Sequence, residues 1–233
     1  MSSSPVLQAV GVKKTYIKGA TQIPVVRGVD LEIQSGEMVA ITGASGVGKS
    51  TLLHILGTLE HPTSGKVYFG GGPKGNERQD LFKFSEKALS IFRNQSLGFV
   101  FQFHYLLPEF TALENVMMPA LIAGHPRGAS EKQARELLKF VGLEHRLEHR
   151  PAEMSGGEQQ RVAIARAVIL RPKLLLADEL TGNLDSVNRG NVMELLVRLN
   201  QATGVSILLV THDQEIAKKM HRVLVMKDGM FAS

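Results

Sequence analysis

Met38-Val39-Ala40-Ile41-Thr42 runs directly into Gly43-Ala44-Ser45-Gly46-Val47-Gly48-Lys49-Ser50, and then into Thr51-Leu52-Leu53-His54-Ile55-Leu56. The first five residues read as a buried strand, the glycine-rich eight fit G-x-x-x-x-G-K-[ST], and the segment from Lys49 to Gly57 has helical apolar spacing. Strand, loop and helix in that order are the context a phosphate-binding loop requires. Glycines let the backbone curl so that successive N–H groups point inward, and the helix adds the positive end of its dipole. Residues Gly43 through Thr51 are therefore expected to cradle a nucleotide's phosphates. Lys49 would reach the β- and γ-phosphates and Ser50 would ligate Mg²⁺. A plain glycine-rich hairpin would leave the Lys-Ser pair unexplained.

Working outward, short β-rich runs precede this loop at residues 6–10, 21–26 and 29–33, and a strand follows at 66–69. Gly70 to Glu77 is polar and glycine-rich, and reads as a flexible surface loop. A strand at 97–101 leads into a region with helical patterning between 103 and 169, where Ser/Thr-x-x-Glu/Gln starts occur at Thr111/Glu114, Ser130/Gln133 and Ser155/Glu158. Beyond it, strand 173–177, helix 186–201, strand 206–210, helix 213–220 and strand 223–226 alternate as βαβ units do. The expectation is one α/β domain spanning 1–233, of the P-loop NTPase type. Residues 1–101 and 171–233 would form a mixed, mainly parallel RecA-like sheet core with an antiparallel β part at the N-terminus, and 102–170 a helical subdomain.

The strand Leu174-Leu175-Leu176-Ala177 ends in Asp178-Glu179, two carboxylates at the carboxyl edge of the sheet, where ligands of open α/β sheets bind. Asp178 suits Mg²⁺, and Glu179 suits the general base that polarises an attacking water. Alone, the pair would read as a solvated strand end; beside the phosphate loop it reads as hydrolytic machinery.

Composition constrains the rest. Lys and Arg number 27 against 22 Asp and Glu, a net charge of +5, which suits nucleotides, nucleic acid or an anionic membrane face. The absence of cysteine excludes disulfides and thiolate chemistry. The longest apolar runs fall far short of the roughly 18 residues of a membrane span, and no secretion signal is legible, so any membrane role is expected to be peripheral.

Phosphate chemistry alone leaves kinases, GTPases and motors open. Ser155-Gly156-Gly157-Glu158-Gln159 narrows the choice: two glycines at a helix start weaken the first turn, which a capping box does not need, but leave bare N–H groups to face an anion. With this motif the chain resembles the ABC transporter ATPase family over nearly its whole length. The resemblance implies ATP as the nucleotide, and a head-to-tail homodimer in which Ser155, Gly156, Gly157 and Glu158 of one subunit cap the ATP held by the phosphate loop of the other. It likewise implies that Tyr16 stacks on adenine, that Gln102 links the Mg²⁺ site to a membrane partner, that Asp185 couples the two sites, and that His212, in Thr211-His212-Asp213, contacts the γ-phosphate. Leu180 stands where the family usually has proline, and restoring proline is expected to stabilise by roughly 0.4–1 kcal/mol.

Phe99 to Val116 is most similar to the group of ABC ATPases that power release of lipoproteins. Asn188 and Thr181-Gly182-Asn183-Leu184-Asp185 agree with the wider group that includes macrolide-export and cell-division ATPases. That resemblance implies integral permease subunits of the LolC/LolE kind as partners, at the cytoplasmic face of a bacterial inner membrane, with no nucleic acid expected. A nucleic-acid ABC protein and a small-molecule kinase stay as other classes. The former usually carries two cassettes or a coiled coil, and the latter has no need of Ser155 to Gln159. Finally, Phe103, Tyr105, Leu106, Leu107 and Phe110 crowd five large side chains into a loop after Gln102, which predicts an apolar docking groove for a membrane subunit.

Overall fold

The computed structural model describes residues 5–70, 79–180, 182 and 185–232. The 71–77 part of the glycine-rich stretch, and Thr181, Asn183 and Leu184, lie outside them. Two sheets are present among the described residues. One is antiparallel, of β1 (Leu7–Lys18), β2 (Thr21–Ile33), β4 (Ser64–Phe69) and β5 (Gln79–Asp80), in the order β2-β1-β4-β5. The other contains β3 (Met38–Thr42), β6 (Leu97–Phe101), β7 (Leu174–Asp178), β8 (Ser206–Val210), β9 (Arg222–Lys227) and β10 (Met230–Phe231), in the order β10-β9-β3-β8-β7-β6. All pairings in the second sheet are parallel except β10 with β9.

The seven helices described are α1 (Lys49–Leu56), α2 (Glu86–Ser96), α3 (Ala112–Ile122), α4 (Arg127–Phe140), α5 (Gly156–Val168), α6 (Ser186–Thr203) and α7 (Gln214–Ala217). Strands β3 and β8 are buried along their whole length, so alternate side chains feed two different cores. Val39, Ile41, Leu174, Leu176, Leu208 and Val210 pack with α1 and the antiparallel sheet. Their neighbours Ala40, Leu175, Ala177, Ile207 and Leu209 pack with α3 to α6. The helices of the middle region thus share one continuous core with the sheet's other face.

Several expectations shift. The β-rich runs before the phosphate loop are two long paired strands whose register slips between Ala9 and Val12 and between Lys14 and Thr15, so Tyr16 lies within β1 and not after it. Ser130 is not a helix start: α4 begins after Pro126, and Ser130 is buried inside it, its hydroxyl donating to the Pro126 carbonyl at 3.1 Å. Helix α2 was not anticipated. The Thr111/Glu114 and Ser155/Glu158 capping boxes both form. Leu180 is 2% exposed and packs in the core beneath the helices, which reverses the sign expected for proline there.

Candidate active site at the carboxyl edge of the parallel sheet

Strand β3 delivers the phosphate loop at its carboxyl end, between β9 and β8. Gly48 is the N-cap of α1 at φ 103°, a left-handed backbone that also brings it against the Val25 carbonyl, where a Cβ would lie 2.7 Å away. Lys49 is 5% exposed, and its ammonium donates to the carbonyls of Gly43 (3.0 Å) and Ala44 (2.8 Å). Both partners are neutral carbonyl oxygens and no ion pair to this ammonium occurs among the described residues, which suits a phosphate ligand.

Ser50 Oγ donates to Asp178 Oδ1 at 3.0 Å, so the hydroxyl of α1 meets the carboxylate at the end of β7. Burial pushes the Asp178 carboxyl above its usual range, against the pull of the Ser50 hydrogen bond and of Lys49. A hydroxyl and a half-buried carboxylate are hard oxygen donors fit for Mg²⁺. No cluster of three or more His, Cys, Asp or Glu able to hold a metal occurs among the described residues, so phosphate oxygens and water would have to complete such a site. Gln102 follows Phe101, the register partner of Asp178 in β7, and its amide packs on Gly182, where a Cβ would come within 2.9 Å of Nε2.

Glu179 takes a left-handed φ of 46°, costly for a residue with a Cβ, and is anchored by its N–H donating to the Val210 carbonyl. That turn sends Oε2 to 3.0 Å from His212 Nδ1. Thr211, 2% exposed, accepts the Asp213 N–H at 3.0 Å and fixes the turn that presents His212. Lys49, Ser50, Asp178, Glu179 and His212 therefore come together from α1, β7 and the end of β8.

The Ser155 motif sits on another element. Ser155 caps α5: its hydroxyl accepts the Glu158 N–H (3.3 Å) and donates to Glu158 Oε2 (2.9 Å), while Glu158 Oε1 takes Arg146 Nε at 2.8 Å. The Ser155 backbone hydrogen bond, with those from the Ser155 side chain and Arg146, holds the Glu158 carboxyl down at about 2. Gly157 lies so close to Asn188 that a Cβ would fall 2.6 Å from its Oδ1, and Asn188 Nδ2 donates to Asp185 Oδ2 at 2.7 Å. Asp185 also caps α6 by accepting the Asn188 N–H at 2.8 Å.

Tyr16 is 37% exposed and its hydroxyl donates to Glu60 at 2.8 Å. Of the apolar loop, Phe103 and Tyr105 are 62% and 64% exposed, whereas Leu106 packs into the core. Beside them lies a cavity of about 380 Å³ lined in part by Leu59, Phe99, Phe101, Ile122 and Arg166. Sequence reading missed Asn115, which is fully buried and pins the loop by bonds to Leu107 and Phe110. Nor did it single out His54, whose ring stands 3.9 Å from Asp178 and against Phe101.

An ATP-hydrolysing cassette is what this fold and site define, and the profile of the ABC transporter family matches residues 26–182: the chain belongs to that family and is an ABC-type ATPase. It is 55% identical over 226 residues, 97% of each chain, to the lipoprotein-releasing system ATP-binding protein LolD of Geobacter metallireducens. It is 51% identical to the LolD of Syntrophus aciditrophicus, over 96% of this chain and 97% of that one. Among solved structures it resembles MJ0796, an ATP-binding cassette determined as a dimer bound to ADP and Pi, with a TM-score of 0.86 and 39% identity over 97% of each chain.

Proposed function

We propose that this chain powers the release of lipoproteins from the outer leaflet of a bacterial inner membrane, working as a head-to-tail pair on the cytoplasmic face beneath permease subunits of the LolC/LolE kind. The observation that carries the ATPase half is the convergence of Lys49, bonded only to carbonyl oxygens among the described residues, the Ser50–Asp178 pair and the Glu179–His212 pair on one sheet edge. The cargo rests on the likeness to LolD over nearly the full length of both chains. No helix among the described residues is long and apolar enough to cross a membrane, which leaves a peripheral seat through partner subunits.

In this mechanism Lys49 exchanges its two carbonyl bonds for oxygens of the β- and γ-phosphates, while N–H groups from Gly43 to Thr51 surround them. Ser50, Gln102 and Asp178, the last through water, would hold Mg²⁺, which when bound neutralises charge on the β- and γ-phosphate oxygens. A water attacks the γ-phosphorus opposite the bridging oxygen. Its proton goes to the Glu179 carboxylate, and the β–γ bridge breaks to leave ADP and phosphate. His212 steadies Glu179 and contacts the γ-phosphate. Ser155, Gly156 and Gly157 of the second subunit, with Glu158 holding their turn, close over the same phosphate; within each subunit Asp185, through Asn188, ties that subunit's own cap to its own hydrolytic turn, so that the two ATP sites are coupled.

The exposed Phe103 and Tyr105, with Leu107 and Phe110 beside them, form the wall on which an amphipathic permease helix docks. Replacing Tyr105 and Leu107 with polar residues is expected to release the chain from membranes and abolish lipoprotein transport while the isolated chain still hydrolyses ATP. Full retention on membranes would place the docking site elsewhere. Identification of the integral proteins that copurify with the unaltered chain tests the cargo: a permease with no effect on lipoprotein release would overturn that half of the reading.

A further inference from the structure

Tyr16 sits near the tip of the β1–β2 hairpin, paired with Ile23, and the next residue, Ile17, is 76% exposed. A ring at the end of so bare a ribbon has little packing to fix its plane. The structure supplies polar constraints in its place. The Tyr16 hydroxyl donates to Glu60 Oε2 at 2.8 Å, and Glu60 Oε1 pairs with Lys14 Nζ at 2.9 Å. Lys14 also donates to the His61 carbonyl at 2.7 Å, and its ammonium lies over the Tyr16 ring, 5.1 Å from the centroid. Burial alone would raise the Glu60 carboxyl, but the hydrogen bonds from Lys14 and Tyr16 outweigh it and hold the group below its usual range.

The placement of these partners gives them a use. Glu60 lies just past the end of α1, the helix into which the phosphate loop opens. The ring is thereby bound, through Glu60, to the segment that leaves the helix carrying the phosphate loop. One face is covered by the Lys14 ammonium, which leaves the other for a flat aromatic ligand. We propose that Glu60 and Lys14 are positioning residues for the nucleotide base: they lock the Tyr16 ring in plane and in register with the phosphate loop, so that adenine meets a rigid platform. This rests on the assignment of Tyr16 as the stacking residue.

Stacking on an aromatic ring is base-tolerant, and its strength depends on a fixed plane and distance. The expected consequence is a change in nucleotide affinity and not in the chemical step. Glu60→Ala and Tyr16→Phe should each raise the KM for ATP about two- to tenfold, the worth of one lost hydrogen bond, with kcat at saturation unchanged. The double variant should be no worse than either single one, because both remove the same bond. Glu60→Gln, which keeps an acceptor for the phenol but loses the Lys14 pair, should fall between Glu60→Ala and the parent; it also serves if Glu60→Ala folds poorly.

The deciding measurement compares binding of ATP with binding of inorganic tripolyphosphate, which has no base, to the same full-length variants by calorimetry. The proposal expects weakened ATP binding and unaltered tripolyphosphate binding. Equal weakening of both would reduce the network to a brace for α1 and overturn it. Weakened ATP binding in Tyr16→Ala alone, with Glu60→Ala and Tyr16→Phe indistinguishable from the parent, would overturn it while keeping the platform. Unchanged ATP binding in Tyr16→Ala would remove the platform itself.

Discussion

Glu179→Gln separates the catalytic reading from a structural one. Glutamine has the shape of glutamate and the same tolerance for the left-handed φ of 46°, so the turn and its N–H bond to Val210 should persist. What is lost is a proton acceptor and one contact to His212, in a pair whose side chains are 24% and 64% exposed. A pair that wet contributes about 0–1 kcal/mol to folding, which in a chain of this size moves Tm by about 2–4 °C at most. Loss of a general base, by contrast, costs about 10²- to 10⁴-fold in turnover, or about 2.7–5.4 kcal/mol on the activation barrier. The chemical effect must therefore far exceed the structural one. The assay is steady-state hydrolysis of Mg-ATP, with ATP affinity measured separately and sedimentation in Mg-ATP to detect a trapped dimer. Turnover within tenfold of the parent, with affinity and Tm unchanged, would refute the role of Glu179 as base.

Asn115→Ala removes the amide that accepts the Leu107 N–H at 2.8 Å and donates to the Phe110 carbonyl at 3.0 Å; it should cost about 1–3 kcal/mol in chemical denaturation and loosen permease association. Because Glu158 has a folded pKa of about 2 against an ordinary 4.5, its ionised form contributes stability that is complete above pH 4.5 and lost as pH falls toward 2; the stability gap between the parent and Glu158→Gln should close over that window in acid titrations of unfolding. Leu180→Pro should lower Tm: a buried leucine contributes about 1.5–3 kcal/mol, more than the about 0.4–1 kcal/mol that proline recovers from the unfolded chain, and Glu179 before it is not in the extended region that proline favours. A rise in Tm would show that the leucine side chain contributes little.

The residues that were legible in sequence are those whose chemistry depends on a local run of backbone. Gly43 to Ser50 is read from one strand–loop–helix unit, and Thr111/Glu114 and Ser155/Glu158 each close a box three residues long. Ser130/Gln133 has the same spacing yet caps nothing, because Pro126 three residues before α4's first turn ends already sets the start of the helix and leaves Ser130 inside. The long strands β1 and β2 were cut short because their register slips break the alternation that identifies a strand. Helix α2 hid because only Leu89 of its residues is fully buried, so its apolar stripe is thin. Glu60, Lys14, Asn115 and His54 were passed over for a different reason: each acts through a partner that the fold brings near, and single polar residues carry no periodicity.

Helix α5 shows how such non-local contacts join the separate motifs. Its N-terminus carries Ser155 to Gly157, and about 16 Å along its axis, by the rise of an α-helix, Arg166 donates to two consecutive carbonyls, those of His104 (2.8 Å) and Tyr105 (2.7 Å). Tyr105 holds a left-handed φ of 45° while its ring is 64% exposed. The loop that carries the proposed docking wall is thus strained, and it is gripped by the helix whose other end would cap ATP in the second subunit of the proposed dimer. A partner that pushes on Tyr105 must either break two charge-assisted hydrogen bonds or carry α5 with it. At the far end, α5 cannot shift without moving Gly157 against Asn188, and Asn188 in turn holds Asp185. On the proposed docking and dimer, contact with the permease and closure over ATP would be joined by one helix and a few hydrogen bonds, and a substitution at Arg166 should uncouple the two while leaving the phosphate loop itself unaltered.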